Sequence, residues 1–193
     1  MTGATAFCRC RSSSSGRSRP RFAESRIVYV DHDPLVISHA RALLTSSPEG
    51  KTDYIQADLR DWATISAGAR RTLDFSQPIA VVLIAVVHFL LDAEDPHRLI
   101  SRIVADLAPG SYLVIAHAAS DIEPETAAAM ARNYNATSSL TITPRDGATV
   151  ARFFDGLEMV GPGLMPLDQW RGSGPASTAE SGLSCYCGIG RKP

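Results

Sequence analysis

The stretch Ser25–Leu44, S-R-I-V-Y-V-D-H-D-P-L-V-I-S-H-A-R-A-L-L, decides how this chain folds. A short apolar strand runs into the acidic turn Asp31-His32-Asp33, and Pro34 then opens a segment in which Val36, Ile37, Ala40, Leu43 and Leu44 recur at helical spacing. Strand, polar turn and helix are the first half of a βαβ unit, whose parallel strands present their carboxyl ends to a ligand. A carboxylate at the end of such a strand can accept hydrogen bonds from the two hydroxyls of a ribose, so Asp31 is either that ligand or a turn residue. Asp33 is accounted for as the helix N-cap, with proline at the first helical position.

The pattern repeats outward from this stretch. Thr52 to Ala57 is a second extended run, ending in Asp58-Leu59-Arg60-Asp61. Here Asp58 can accept a hydrogen bond from the exocyclic amine of an adenine while Leu59 packs on the ring, or it can cap the helical segment Trp62 to Arg71. Pro78 leads into I-A-V-V-L-I-A-V-V, whose lack of alternation predicts a central parallel strand buried on both faces, with His88 and Phe89 at its end. Asp95 and Pro96 open a helix striped by Leu99, Ile100, Ile103, Val104 and Leu107. Ser111 to Ala116 is the next strand, with His117 at its exit. Helices over Pro124 to Tyr134 and Pro144 to Phe154, a short strand over Leu157 to Val160 and a last strand over Leu183 to Gly190 complete the alternation. The glycine- and serine-rich Gly172 to Gly182 reads as a mobile loop. An α/β fold with a mostly parallel sheet and helices on both faces follows.

Composition narrows the function. With 193 residues, 45% of them hydrophobic and 20% charged, the chain suits one domain with a real core. A net charge of -1 provides no whole-molecule field for nucleic acid or an acidic membrane, so neither is an expected partner. No apolar run approaches the roughly 20 residues of a bilayer span, and no signal-peptide core is visible, so the chain is expected to be cytoplasmic. The only lysines are Lys51 and Lys192, which sets Schiff-base chemistry aside. Cys8 with Cys10 and Cys185 with Cys187 are C-x-C pairs, not C-x2-C zinc spacings, and read as reduced thiols with no metal.

The phrases V-Y-V-D-x-D-P, Y-I-Q-A-D-L-R-D, the apolar strand ending V-H-F, L-A-P-G-S-Y-L-V-I and the terminal G-I-G-R-K-P resemble class I S-adenosylmethionine-dependent methyltransferases. More closely, they are similar to an actinobacterial S-adenosyl methyltransferase family once counted as a domain of unknown function. The resemblance runs from Ser25 to Pro193. It implies a Rossmann-like, seven-stranded sheet with an antiparallel last strand, S-adenosyl-L-methionine as cofactor and a small-molecule methyl acceptor. By the same resemblance Asp31 holds the cofactor ribose, His32 lies beside the adenine, and Asp58 with Leu59 binds the adenine. The segment from Ala85 to His88 borders the methionine moiety and the substrate. If a general base is used, His88 and His117 are the candidates, since a neutral imidazole takes a proton near pH 7.

One departure stands out. The family opens with a strand and a glycine-rich turn at the centre of the sheet, and here that region reads T-G-A-T-A-F-C-R-C-R-S-S-S-S-G. Glycines let backbone N–H groups approach a ligand closely, so their loss weakens cofactor binding. Residues 1–24, rich in arginine and serine, are expected to be disordered or a non-native start produced by a misplaced start codon or a frameshift, with residues 25–193 as the domain. The N-terminal strand is then missing or replaced, and its neighbours are expected to expose unpaired edges. Two other classes stay open. A nicotinamide-dependent oxidoreductase would also use Asp31, but G-x-G-x-x-G and a catalytic tyrosine–lysine pair are absent. A non-catalytic remnant of a nucleotide-binding domain is the alternative that the lost glycine turn favours.

Overall fold

The computed structural model describes residues 4–9, 25–43, 50–170 and 184–193. They form a sheet of eight strands: β1 (Ala4–Arg9), β2 (Arg26–Asp31), β3 (Lys51–Gln56), β4 (Ala80–Ile84), β5 (Tyr112–Ala118), β6 (Glu158–Met159), β7 (Met165–Pro166) and β8 (Cys185–Arg191). Its order is β3-β2-β1-β4-β5-β8-β6, with β7 on β8. The helices are α1 (Pro34–Leu43), α2 (Trp62–Ala69), α3 (Pro96–Ala105), α4 (Pro124–Thr137) and α5 (Gly147–Ala151). The pairs β2–β3 and β4–β5 are parallel and β8 runs antiparallel to β5, as the alternation and the resemblance lead one to expect. The short β7 makes eight strands where seven were implied.

Residues 1–24 were expected to be disordered or a non-native start, with the N-terminal strand missing or replaced. Of these, Ala4–Arg9 is not disordered: it forms the central strand, antiparallel to both neighbours, so the strand is replaced, with Thr5 paired to Val30 and Leu83, and Cys8 to Ile27 and Ala80. No gap with unpaired edges is left between β2 and β4. The physical reason is a two-residue alternation that the arginine- and serine-rich context masks. Thr5 and Phe7 are buried on one face, and the Phe7 ring lies 5.7 Å from that of Trp62. Of the rest of the N-terminal segment, residues 1–3 and 10–24 lie outside the described residues, as does the loop expected over Gly172 to Gly182.

Because β1 runs backwards, its start rather than its end meets the carboxyl edge of the parallel strands, where Ala4 pairs with Ile84. Its end lies at the opposite edge, where Arg9 pairs with Arg26. Thr5, near the start of β1, therefore stands at that carboxyl edge, between Val30 and Leu83.

The core lies between this sheet and α2 and α3. Val28, Val81, Leu83, Leu113 and Ile115 meet Trp62, Ile65, Ile100 and Ile103, all of them buried. The α3 stripe behaves as its spacing predicts, and Asp95 caps it by accepting the N–H of Arg98 at 3.1 Å. β4 is less enclosed than an unbroken apolar run suggests: Ile84, at its exit, is 37% exposed. The segment from Pro144 yields only α5 and a 3-10 turn, Arg152–Phe154, with Asp146 as the cap.

Candidate active site

A cleft of about 690 Å³, measured with its open mouth, lies over the carboxyl ends of β2, β3 and β4. Asp31, His32, Asp58 and Leu59 all line it, together with Thr5, Val86, Phe89, Leu90 and Leu140. Two segments that the sequence offered separately thus meet in one place, because β2 and β3 are parallel neighbours and Asp31 pairs with Gln56.

Asp31 is nearly buried, and its Oδ1 accepts the N–H of Asp33 at 2.9 Å, closing the turn. The Nδ1 of His32 stands 3.5 Å from the same oxygen. Among the described residues Oδ2 has no hydrogen-bond partner. Capping α1 falls to Asp33, whose Oδ1 accepts the N–H of Leu35 at 2.8 Å. Asp31 is therefore not required as a cap.

The same division holds one strand over. The cap of α2 is Asp61, which accepts the N–H of Thr64 at 3.1 Å. Asp58 does not cap it, which removes that alternative. Its Oδ1 accepts the backbone N–H of Arg60 at 2.8 Å, and the Arg60 guanidinium reaches both its oxygens. Arg60 also pairs with Glu94 at 2.6 and 3.0 Å and donates to the carbonyl of Phe89, so it ties the exit of β3 to the loop after β4. That fork, with the N–H of Leu91 donating to the same carboxylate, holds Glu94 down to about 2. Leu59 is buried in the floor of the cleft. Arg60 and Glu94 were not singled out from the sequence, since a contact between residues 34 apart leaves no local signal.

Ala85 and His88 are not brought into the lining. Ala85 sits at the exit of β4 with φ 56°, and its N–H donates to the carbonyl of Ala116 at 3.0 Å. Its neighbour Val86 reaches the cleft instead. His88 is 3% exposed; its Nδ1 accepts the N–H of Ala118 at 3.4 Å, and its ring stands edge-on to His117 at 5.6 Å. Burial first, then the charge of Arg145, pushes His88 down to about 4. His117 is fully buried and is pushed down to about 3, chiefly by burial. Both rings are neutral packing residues at neutral pH. Cys185 and Cys187 follow one another on one face of β8, and burial pushes both thiols up.

A mostly parallel α/β sheet with a cleft at its carboxyl edge, walled by an aspartate after each of two adjacent strands, defines a Rossmann-like nucleotide-cofactor domain. The chain belongs to the S-adenosyl methyltransferase family, whose model matches residues 17–193, and the methyl donor of that family is S-adenosyl-L-methionine. It is similar to a DUF574 family protein from Streptomyces avermitilis, with 36% identity and a TM-score of 0.83 over 90% of this chain and 67% of that one. It is also similar to a candidate methyltransferase from Thermobifida fusca, with 32% identity and a TM-score of 0.73 over 86% of this chain and 62% of that one. The chain thus spans about two thirds of the length of these two proteins. The N-methyltransferase NodS of Bradyrhizobium japonicum, in complex with S-adenosyl-L-homocysteine, shares the fold at 16% identity and a TM-score of 0.51, over 86% of this chain and 66% of NodS. Among curated proteins no match was found. Within the described residues no helix is long and apolar enough to cross a membrane.

Proposed function

We propose that this chain binds S-adenosyl-L-methionine in the cleft over β2 and β3 and transfers the methyl group to a small-molecule acceptor in the cytoplasm. The observation that carries the reading is the convergence of Asp31, His32, Asp58 and Leu59 on one cleft. In this reading Asp31 accepts the ribose hydroxyls through the oxygen that its turn leaves uncommitted. His32 lies along the edge of the adenine. Asp58, held by Arg60, accepts from the exocyclic amine, and Leu59 packs under the ring.

Thr5, from the central strand, also lines this cleft. Val86, the neighbour of Ala85, contributes to the wall there, and His88 packs behind it, accepting the N–H of Ala118. When bound, the cofactor supplies an electrophilic methyl carbon for in-line displacement. The chain contributes alignment and exclusion of water, and orientation of this kind can supply roughly 7–11 kcal/mol of a barrier.

Isothermal titration of the full chain with S-adenosyl-L-homocysteine tests this. Saturable binding that Asp31→Ala abolishes is the expected result. Binding of a nicotinamide dinucleotide in its place would overturn the reading.

A further inference from the structure

Arg145 is a buried arginine that the proposed chemistry does not use. It lies between α4 and α5 and is 4% exposed, although arginine is almost never fully buried unless paired. Its backbone joins the sheet by an isolated parallel bridge to Ala119, with its N–H on the carbonyl of Ala118 at 3.0 Å. Its side chain then reaches across the exits of β4 and β5.

All five N–H groups of the guanidinium are engaged. Nε and Nη2 donate to Oδ1 of Asp92 at 3.0 and 2.7 Å, and Nη2 also donates to the carbonyl of Leu90 at 2.7 Å. Nη1 donates to the carbonyl of Val87 at 3.4 Å and to Nε2 of His117 at 2.9 Å. The His117 tautomer follows from its other contact: Nδ1 lies 2.8 Å from the carbonyl of Ala118, which can only accept, so Nδ1 carries the proton and Nε2 is free to accept from Arg145. Burial keeps that ring neutral, as the arrangement requires. The partner carboxylate, Asp92, is 78% exposed, so a charge buried inside the domain is balanced from the surface.

Three of these acceptors, Val87, Leu90 and Asp92, belong to the loop after β4. The same loop and the residue before it supply Val86, Phe89 and Leu90 to the cleft. The N–H of Thr143, two residues before Arg145, donates to the carbonyl of His88 at 2.7 Å, a second tie from the same segment. The wall of the cleft therefore has a shape set from outside it.

We infer that Arg145 is a positioning residue that fixes the Val86–Leu90 wall of the donor cleft, with neutral His117 and Asp92 holding its guanidinium in place. The inference rests on the proposed reading of the cleft as the donor site. A planar fork is needed to reach two carbonyls, a carboxylate and an imidazole at once, and the ammonium of lysine has neither the shape nor the number of donors.

The test is the affinity of the full chain for S-adenosyl-L-homocysteine, measured by titration calorimetry well below the melting temperature. A purely structural arginine would lower the melting temperature and leave the affinity of the folded protein unchanged. A positioning arginine lowers the affinity itself. Arg145→Lys is expected to melt cooperatively and to bind about tenfold or more weakly, as small misplacements of a site allow. Glu158→Gln, which removes an exposed ion pair with Arg191 on β8, is expected to bind like the wild type.

Wild-type affinity in a cooperatively folded Arg145→Lys overturns the inference while leaving the donor site standing. If Arg145→Lys does not fold, Asp92→Asn decides, since it keeps the shape of an exposed side chain and loses its charge. Weakened binding there supports the inference, and unchanged binding overturns it. A wild-type chain that binds no S-adenosyl-L-homocysteine overturns the functional reading and this inference with it.

Discussion

Asp31 and Asp58 end neighbouring parallel strands, and each gives one oxygen to the turn that follows it. They differ in what surrounds the rest of the carboxylate: Asp31 keeps Oδ2 without a partner among the described residues, whereas Arg60 grips both oxygens of Asp58. His88 and His117 lie at the exits of the next two strands and behave differently again. Both sit below the ordinary imidazole value of 6.5, at about 4 and about 3, because burial penalises the cation. Below pH 6.5 the unfolded chain binds protons that the native chain does not. The stability these rings confer is complete above that pH and is lost as the pH falls toward 4. Each ring should remove stability steadily as the pH falls through that window. Urea unfolding midpoints measured between pH 6.5 and 5 should fall accordingly, and His88→Asn should roughly halve the slope. A flat wild-type profile would mean that the rings titrate normally in the folded chain.

At the scale of elements, the turn after β3 separates two carboxylates of the same type three residues apart. Asp61 caps α2, and Asp58 faces the cleft. Asp61→Ala should lower stability through the lost cap, with little change in donor affinity. Asp58→Ala should do the reverse, which denaturant titration and calorimetry on the two variants can check. From sequence the two could not be told apart, because D-L-R-D offers a capping residue at either position and only the backbone path out of the strand chooses between them. The α3 helix was legible throughout, with Asp95, Pro96 and its apolar stripe agreeing with one another. β4 was half legible. Its apolar run gave the strand, but Ile84 is partly exposed because the exit of the strand opens toward the carboxyl edge.

For the whole molecule, the antiparallel β1 is the decisive element. Phe7 is fully buried and packs on Trp62. Truncating a buried phenylalanine costs about 3–5 kcal/mol, so Phe7→Ala should unfold at markedly lower urea, read by far-UV circular dichroism. A wild-type midpoint in that variant would mean that Ala4–Arg9 does not hold the centre of the sheet. β1 also shapes the cleft: it completes the sheet between β2 and β4, and by its direction it brings Thr5 to the lining.

By itself the sequence determined the α/β class, the parallel strands that end in Asp31 and Asp58, and the family to which the chain belongs. These follow from local periodicity, caps and short motifs, all carried within a few residues of chain. Tertiary structure decided which of those residues meet. It gathered Asp31, His32, Asp58 and Leu59 into one cleft, buried His88 against His117 and inserted Ala4–Arg9 at the centre of the sheet. It also threaded the guanidinium of Arg145 through the loop after β4, across a separation of 53 residues from Asp92. Such contacts depend on sheet order and strand direction, which are properties of the assembled chain and not of any single segment.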